Sequence, residues 1–162
     1  MSVRSSSQKT PEIVVGWREW VSLPELGIPA LKAKIDTGAR TSALHAFELE
    51  AFRQNGVEYV RFSLHPLRKR QNLVFTCVAP VKDKRTVTDS GGHKESRYVI
   101  ETPVHLGNEE WPIEMTLTSR DSMLFRMLLG RTAMQDRIVV DPGASYLTGR
   151  ALAKTYQTKK EK

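Results

Sequence analysis

Apolar and polar residues alternate along much of this chain, at the two-residue period of half-buried β-strands. In "ALKAKID", residues 30–36, Leu31, Ala33 and Ile35 point one way, and Lys32, Lys34 and Asp36 the other. Trp111, Ile113, Met115 and Leu117 alternate as cleanly. Turn signals separate such runs. "IVVGWREWVSL" ends at Pro24, with Leu26 and Gly27 forming a turn. "SALHAFELEAF" and "GVEYVRFSLH" flank Asn55-Gly56, and "ESRYVIETPVHL" and "EWPIEMTLTS" flank Gly107-Asn108, both hairpin signals. "NLVFTCVAPV" is a further strand and "IVVD", residues 138–141, a last one. One short helix is predicted after Gly130, through "RTAMQDR". No regular internal repeat and no interdomain linker interrupts the pattern. Many short strands at this spacing predict an all-β fold, a small barrel or sandwich.

Composition narrows the class. A chain of 162 residues, 40% hydrophobic and 27% charged, holds one ordinary domain with a sizeable core. The reading is a tail over residues 1–12, one domain over 13–149 and a basic tail over 150–162. No run approaches the ~18 apolar residues of a membrane span. The Ser-rich N-terminus has no apolar centre, so no signal peptide is expected. Cys77 is the only cysteine, which excludes an internal disulfide and makes the cytoplasm the expected location. The net charge is +7, but Arg150, Lys154, Lys159, Lys160 and Lys162 stand against only Glu161 in the last 13 residues. Such a tail is ordinarily solvated, and without aromatic stacking motifs no nucleic acid partner is expected. "LRKRQ", residues 67–71, reads as a solvated charged loop, with contact to a polyanion as the alternative.

The chemistry concentrates in "KIDTGARTSALHA", residues 34–46, where a strand ends on a carboxylate. An aspartate that activates water needs a second carboxylate with which it shares a proton, backbone N–H groups aimed at its oxygens, and a rigid loop. Gly38 allows close backbone approach because it lacks Cβ. Thr37 offers a hydroxyl that can tie the loop to a neighbouring chain, and the small side chain of Ala39 leaves room for substrate.

"KIDTGARTS" resembles the active-site loop of retropepsin-like aspartic proteases. "MLLGRTAM", residues 127–134, resembles their second landmark: two apolar residues, Gly-Arg and a short helix, with the apolar-Gly pair threading beneath the aspartate loop. Between them, "VKDKRTVTDSGGHKESRYVIET" has the charged arms and glycine tip of a flap hairpin. The wider pattern, running through "SRYVIETPVHL" and "LTSRDSMLFRMLLGRTAM" to "VDPGASYLTG", is similar to a bacterial family labelled as ATP-dependent zinc proteases. Members of that family look like retropepsins, and some are associated with RimK-type ATP-grasp ligases, which add glutamates to a ribosomal protein. The resemblance implies a retropepsin-like β-barrel with a flap and one short helix after the Leu-Leu-Gly-Arg segment.

It also implies a homodimer, because retropepsins bring equivalent aspartates together across a two-fold axis. The resemblance assigns catalysis to Asp36, Thr37 and Gly38 and structural support to Leu129, Gly130 and Arg131, while Ala39, Arg40, Gly91, Gly92 and Arg97 are read as substrate contacts. A rival partner for Asp36 lies inside the chain. "VVDPGAS", residues 139–145, also reads apolar-Asp-x-Gly-Ala, but Pro142 has neither hydroxyl nor N–H. The plainer reading of Asp141-Pro142-Gly143 is a turn closing the last strand.

Arg40 departs from the retropepsin pattern, which often places an acid there to pair with the arginine equivalent to Arg131. Arg40 either binds an acidic substrate through its planar fork or stands in solvent, paired or not with a local acid. Lys82, Lys84, Arg85, Lys94 and Arg97 make the flap arms basic and favour glutamate-rich peptides, although Glu95 and Arg97 can pair with each other. His45, His65, His93 and His105 are scattered without metal-ligand spacing, so no metal is expected, and His45 reads as structural. No phosphate-binding Gly-x-x-x-x-Gly-Lys is present, so nucleotide dependence would come from a partner. No cofactor is expected. The resulting expectation is an aspartic peptidase acting on a glutamate-rich tail. The alternative is a non-catalytic module that binds acidic peptides and regulates a ligase or ribosomal protein.

Overall fold

The computed structural model describes residues 12–88, 91–119 and 124–157. The expected tails over 1–11 and 158–162, the flap residues 89–90 and the stretch 120–123 lie outside the described residues. The strands are β1 Ile13–Val15, β2 Arg18–Leu23, β3 Ile28–Ile35, β4 Ser42–His45, β5 Phe47–Gln54, β6 Val57–Leu64, β7 Phe75–Pro80, β8 Asp83–Thr88, β9 Lys94–Leu106, β10 Glu109–Thr118, β11 Met127–Leu129 and β12 Ile138–Val140. Helix α1 spans Arg131–Met134, following the Leu-Leu-Gly-Arg segment as predicted.

Seven strands form one sheet in the order β10-β4-β11-β3-β2-β9-β8. β9 also pairs with β10, so the sheet closes on itself into a barrel, with β8 attached outside the ring as one arm of a hairpin. The fold is all-β and retropepsin-like, as the sequence predicts. β5, β6 and β7 form a separate three-stranded sheet. Asn55 and Gly56 turn β5 into β6 with φ of 55° and 79°, a left-handed pair that Asn and Gly tolerate best.

The alternation seen in sequence sets the core. Val21 and Leu23 of β2, Leu31, Ala33 and Ile35 of β3, Leu44 of β4, Met115 and Leu117 of β10, and Met127 and Leu129 of β11 all face inward and are buried. Burying a side chain of this size contributes roughly 1.5–3 kcal/mol. Cys77 is buried too, and burial pushes its thiol up to about 11.

Two long segments break where the hydrophobic pattern runs on. "IVVGWREWVSL" divides at Gly16 into β1 and β2. β1 then leaves the barrel to pair in parallel with β12, Val15 opposite Val140. "SALHAFELEAF" divides at Ala46 into β4, in the barrel, and β5, in the flanking sheet. Residues 150–157, expected to begin the basic tail, lie against the body. Tyr156 exchanges hydrogen bonds with the Ala30 backbone, and Arg70 Nη1 donates to the Tyr156 carbonyl at 2.8 Å.

Candidate active site

β3 runs parallel to β11, Leu129 opposite Ile35, and delivers Asp36 at its end. The Asp36 N–H continues the ladder, donating to the Leu129 carbonyl at 2.9 Å. The chain then turns back: Gly38 N–H donates to Asp36 Oδ1 at 3.0 Å and Ala39 N–H to the Asp36 carbonyl at 3.3 Å. One backbone donor is therefore aimed at the carboxylate, and it fixes that side chain relative to the loop.

The Gly130 segment threads beneath. Arg131 N–H donates to the Ala39 carbonyl at 2.8 Å, Thr132 N–H to the Arg40 carbonyl at 3.0 Å, and Gly130 N–H to Ser42 Oγ at 3.0 Å. A Cβ on Gly130 would lie 2.6 Å from the Thr41 carbonyl carbon, so only glycine fits. Arg131 reaches back with Nη1 to the carbonyls of Thr37 (3.2 Å) and Gly38 (3.1 Å). Where the retropepsin pattern pairs this arginine with an acid, here it grips the aspartate loop itself. Arg40 is exposed and makes no ion pair among the described residues. Thr37 and Gly38 are exposed, and Asp36 and Ala39 partly so.

Gly91 and Gly92 sit at the turn of the β8–β9 hairpin, Gly92 with φ of 85°. The arms' basic residues are less available than their sequence implies. Lys82 bridges Glu101 (3.2 Å) and Glu114 (2.9 Å), and Arg85 bridges Asp83 (2.9 Å) and Glu114 (3.0 Å). Hydrogen bonds from Lys82 and Arg85 hold the Glu114 carboxyl below its usual range. Arg97 pairs with Glu95 at 2.8 Å, the plainer of its two readings, and donates to Thr116 Oγ1 at 3.2 Å. Thr116 Oγ1 in turn donates to the Ser42 carbonyl at 3.4 Å. Arg97 thus links the hairpin's base to the chain that leaves the aspartate loop.

The Asp141 loop repeats the Asp36 loop bond for bond. Asp141 N–H donates to the Val15 carbonyl (2.8 Å), Gly143 N–H to Asp141 Oδ1 (3.1 Å) and Ala144 N–H to the Asp141 carbonyl (3.1 Å). Trp17 N–H donates to the Ala144 carbonyl (2.8 Å), as Arg131 does to Ala39. "VVG" before Trp17 plays the part of "LLG" before Arg131. A Cβ on Gly16 would lie 2.1 Å from the Ala144 oxygen. The expected turn at Asp141-Pro142-Gly143 is present, but as a second threaded loop. The strand carrying Gly16 runs between the two loops, since Ile35 N–H donates to the Trp17 carbonyl at 2.8 Å. Two interstrand spacings put their backbones roughly 10 Å apart.

Sequence reading passed over Glu19. It is fully buried. Its carboxylate accepts from Gly16 N–H (2.7 Å), Leu147 N–H (2.8 Å), Thr148 N–H (3.1 Å) and Thr148 Oγ (2.7 Å). It ties the chain after the second loop to the chain that threads beneath it. Its alternation with Val21 and Leu23, which puts an acid on a core-facing position, was the available signal. Among the described residues no three His, Cys, Asp or Glu side chains group as metal ligands, and no helix is long and apolar enough to cross a membrane.

Comparison with known proteins agrees with this geometry. A family profile described as the retropepsin-like aspartic endopeptidase RimB matches residues 14–151. A probable alpha-L-glutamate ligase of Desulfotalea psychrophila is 47% identical over 159 residues, covering 96% of this chain and 34% of that protein. Proteins of the same name from Parasynechococcus marenigrum and Shewanella pealeana are 48% and 44% identical over 86% and 85% of this chain. The chain spans about a third of the length of these curated relatives. The crystal structure of Lpg0085, a Legionella pneumophila protein of unknown function, superposes with a TM-score of 0.70 at 27% identity, over 83% of this chain and 97% of that one. By its two landmark segments, its barrel and the profile that covers most of its length, the chain belongs to the RimB-like family of retropepsin-like aspartic endopeptidases.

Proposed function

We propose that this chain is an aspartic endopeptidase in which Asp36 pairs with Asp36 of a second copy. The observation that carries the reading is the Asp36 loop: one carboxylate oxygen held by the Gly38 N–H, the loop gripped by Arg131, and glycine enforced at 130 by the closeness of Thr41. Two such carboxylates side by side cannot both ionise, so they share a proton. The ionised one takes a proton from water, the water oxygen attacks the peptide carbonyl carbon, and the protonated one gives its proton to the carbonyl oxygen. Collapse of the tetrahedral species then breaks the C–N bond as the amine is protonated.

The open edge of β12 supports assembly. Among the described residues β12 pairs only with β1. Val14 and Val139, opposite each other in the register, are 52% and 42% exposed. An unpaired edge beside exposed valines is a surface that a second copy can cover. The curated relatives' name, glutamate ligase, supports a glutamate-rich tail as substrate, made by an ATP-grasp enzyme of the RimK type, with exposed Arg40 at the aspartate loop to meet it. The site of action is then the cytoplasm, where such a ligase has its ATP.

A second reading, an acidic-peptide-binding module without catalysis, is favoured by one observation: within a single chain a strand separates Asp36 from Asp141, the other aspartate loop. One experiment decides between them. Cleavage of an oligoglutamate-tailed protein is followed by mass spectrometry, with light scattering on the same samples. The expected result is a dimer whose activity falls at least ~100-fold in Asp36→Asn, consistent with loss of a general acid–base group. Asp141→Asn retains most activity, and EDTA changes nothing. A monomer that binds the tail and leaves it intact points to the binding module. Loss of activity in Asp141→Asn alone moves catalysis to the second loop.

A further inference from the structure

Arg18 stands opposite Lys34 in the β2–β3 register, so the two side chains share a face of the sheet. The alternation of β3 puts Asp36 on that face as well. Glu19 and Ala33, the next pair along, point into the core. One interstrand spacing across and two residues along place the Arg18 backbone about 8 Å from that of Asp36. Among the described residues no acid pairs with Arg18, Lys34 or Arg150.

The Arg18 guanidinium is held in place. Its Cζ lies 4.7 Å from the centre of the Trp17 ring and 4.9 Å from that of Tyr146. Its Nε donates to Ser145 Oγ at 3.2 Å. Trp17 is itself fixed, edge to face against Phe125 at 5.8 Å. The second aspartate loop supplies the other aromatic wall. Its Ala144 carbonyl accepts from Trp17 N–H, and Tyr146 N–H then donates to the Arg18 carbonyl at 3.0 Å. Tyr146 has φ of 57°, a left-handed conformation uncommon for a bulky residue. Gly149 N–H donates to the Tyr146 carbonyl at 3.0 Å, and this turn returns Arg150 to the ring, its Cζ 4.6 Å from the centre. Two guanidinium groups therefore lie over one ring on a strained backbone, and strain of this kind clusters at binding and catalytic sites. The aromatic contacts use the flat surface of the Arg18 guanidinium and Ser145 uses Nε. Its two Nη groups, at the edge of the plane, meet no acceptor among the described residues.

We propose that Arg18 binds the side-chain carboxylate of a glutamyl residue in an acidic peptide, within about two positions of the bond presented to Asp36. A carboxylate takes two adjacent guanidinium N–H groups side by side. Holding that fork beforehand between Trp17, Tyr146 and Ser145 removes much of the entropy an arginine otherwise loses on binding. Lys34 and Arg150 add positive charge around it. Two residues of an extended peptide span about 7 Å, close to the spacing between Arg18 and Asp36. Arg40, on the aspartate loop, is exposed, and among the described residues no ring or hydrogen bond orients its guanidinium, so it adds charge without fixed geometry. The second aspartate loop thereby acquires a role: it carries Tyr146 and Ser145 to Arg18. The position beside the cleaved bond rests on the peptidase reading; carboxylate binding by Arg18 does not.

The test separates the two. Hexaglutamate and hexaglutamine peptides are titrated calorimetrically into the full chain carrying Asp36→Asn, where no cleavage interferes. Hexaglutamate binds at least tenfold more tightly than hexaglutamine. Added Arg18→Gln weakens hexaglutamate binding roughly tenfold, the lower range for hydrogen bonds to a charged group. Arg18→Lys keeps the charge without the fork and recovers only part of that loss. Tyr146→Gly suits the left-handed backbone but removes the ring, and it too weakens hexaglutamate binding. Arg53→Gln, which removes a charge from the distant β5–β6 hairpin, leaves binding unchanged. A thermal melt accompanies each variant to show that it is folded. Hexaglutamate binding left intact by Arg18→Gln overturns the site whatever the peptidase assay gives, as does an equal loss in Arg53→Gln. Full recovery in Arg18→Lys, or unchanged binding in Tyr146→Gly, overturns the held fork. Tighter binding of inorganic phosphate, or of single-stranded RNA, which stacked aromatic and arginine side chains also hold, overturns the carboxylate assignment. Binding that depends on Arg18, in a wild-type protein that leaves an oligoglutamate tail uncut, keeps the site and overturns the peptidase reading.

Discussion

Glu19 shows how one side chain can hold two distant stretches of chain. Its four hydrogen bonds satisfy three backbone N–H groups and one hydroxyl. Glu19→Gln keeps the shape but sets an NH2 group against N–H donors. Each lost charge-assisted bond is worth about 1.5–3 kcal/mol, so the substitution costs roughly 3 kcal/mol or more. That corresponds to a fall in Tm of roughly 6–12 °C for a domain of this size, which differential scanning calorimetry resolves. An unchanged melt would show that water replaces the carboxylate. At this scale, the backbone geometry of the aspartate loop was legible, because the positions of Gly38 and Gly130 demand particular residue types. Sequence served Glu19 badly. Its role depends on which strands lie next to it, and residue type alone does not carry that. The flap arms misled in the same way: Lys82 and Arg85 count as basic in a composition, yet each has carboxylate partners, whereas the Glu95–Arg97 pair was open to a reading of neighbouring residues.

At the scale of elements, the glycine under the Asp36 loop tests the threading directly, with a glycine inside the second loop as the control. In Gly130→Ala the new Cβ meets backbone atoms of Thr41 and Ser42 at 2.6–2.9 Å, which no rotamer change relieves. The expected loss is about 3 kcal/mol, at the upper end of overpacking costs. Gly143→Ala is the control: its Cβ would stand 3.7 Å from Asp141 Oδ1 at negative φ, so urea unfolding should shift by less than about 0.5 kcal/mol. Equal effects from both substitutions would remove the case for threading. Strand positions were legible because alternation with turn signals is a local property, and β9, β10 and their Gly107-Asn108 turn fall where the pattern puts them. Breaks at Gly16 and Ala46 were not, since hydrophobic residues run through both. The break at Gly16 is dictated by a loop over 120 residues away that needs the space above it.

For the molecule as a whole, closure joins the two ends of the described chain. β1 and β12 pair in parallel, and Glu19 accepts from Leu147, 128 residues on. Ending the chain after Arg137 should therefore leave β1 unpaired and Glu19 buried with a single donor. Near-UV circular dichroism and urea unfolding should show loss of the cooperative transition; a truncated chain that unfolds as sharply as the full one would contradict this. Barrel and class were legible in the order of strands and landmarks. The parallel pairing of first and last strands was not, because non-local pairing leaves no trace in a local window.

That pairing also sets a clock on biosynthesis. A ribosome adding roughly 5–20 residues per second needs about 6–25 s after making β1 to deliver its partner. Throughout that interval the nascent chain carries valines and an open strand edge with nothing to cover them, the condition under which chaperone capture or mispairing with a neighbouring chain competes with folding. Codon changes that slow translation between the two strands should raise the aggregated fraction without altering the protein that emerges folded.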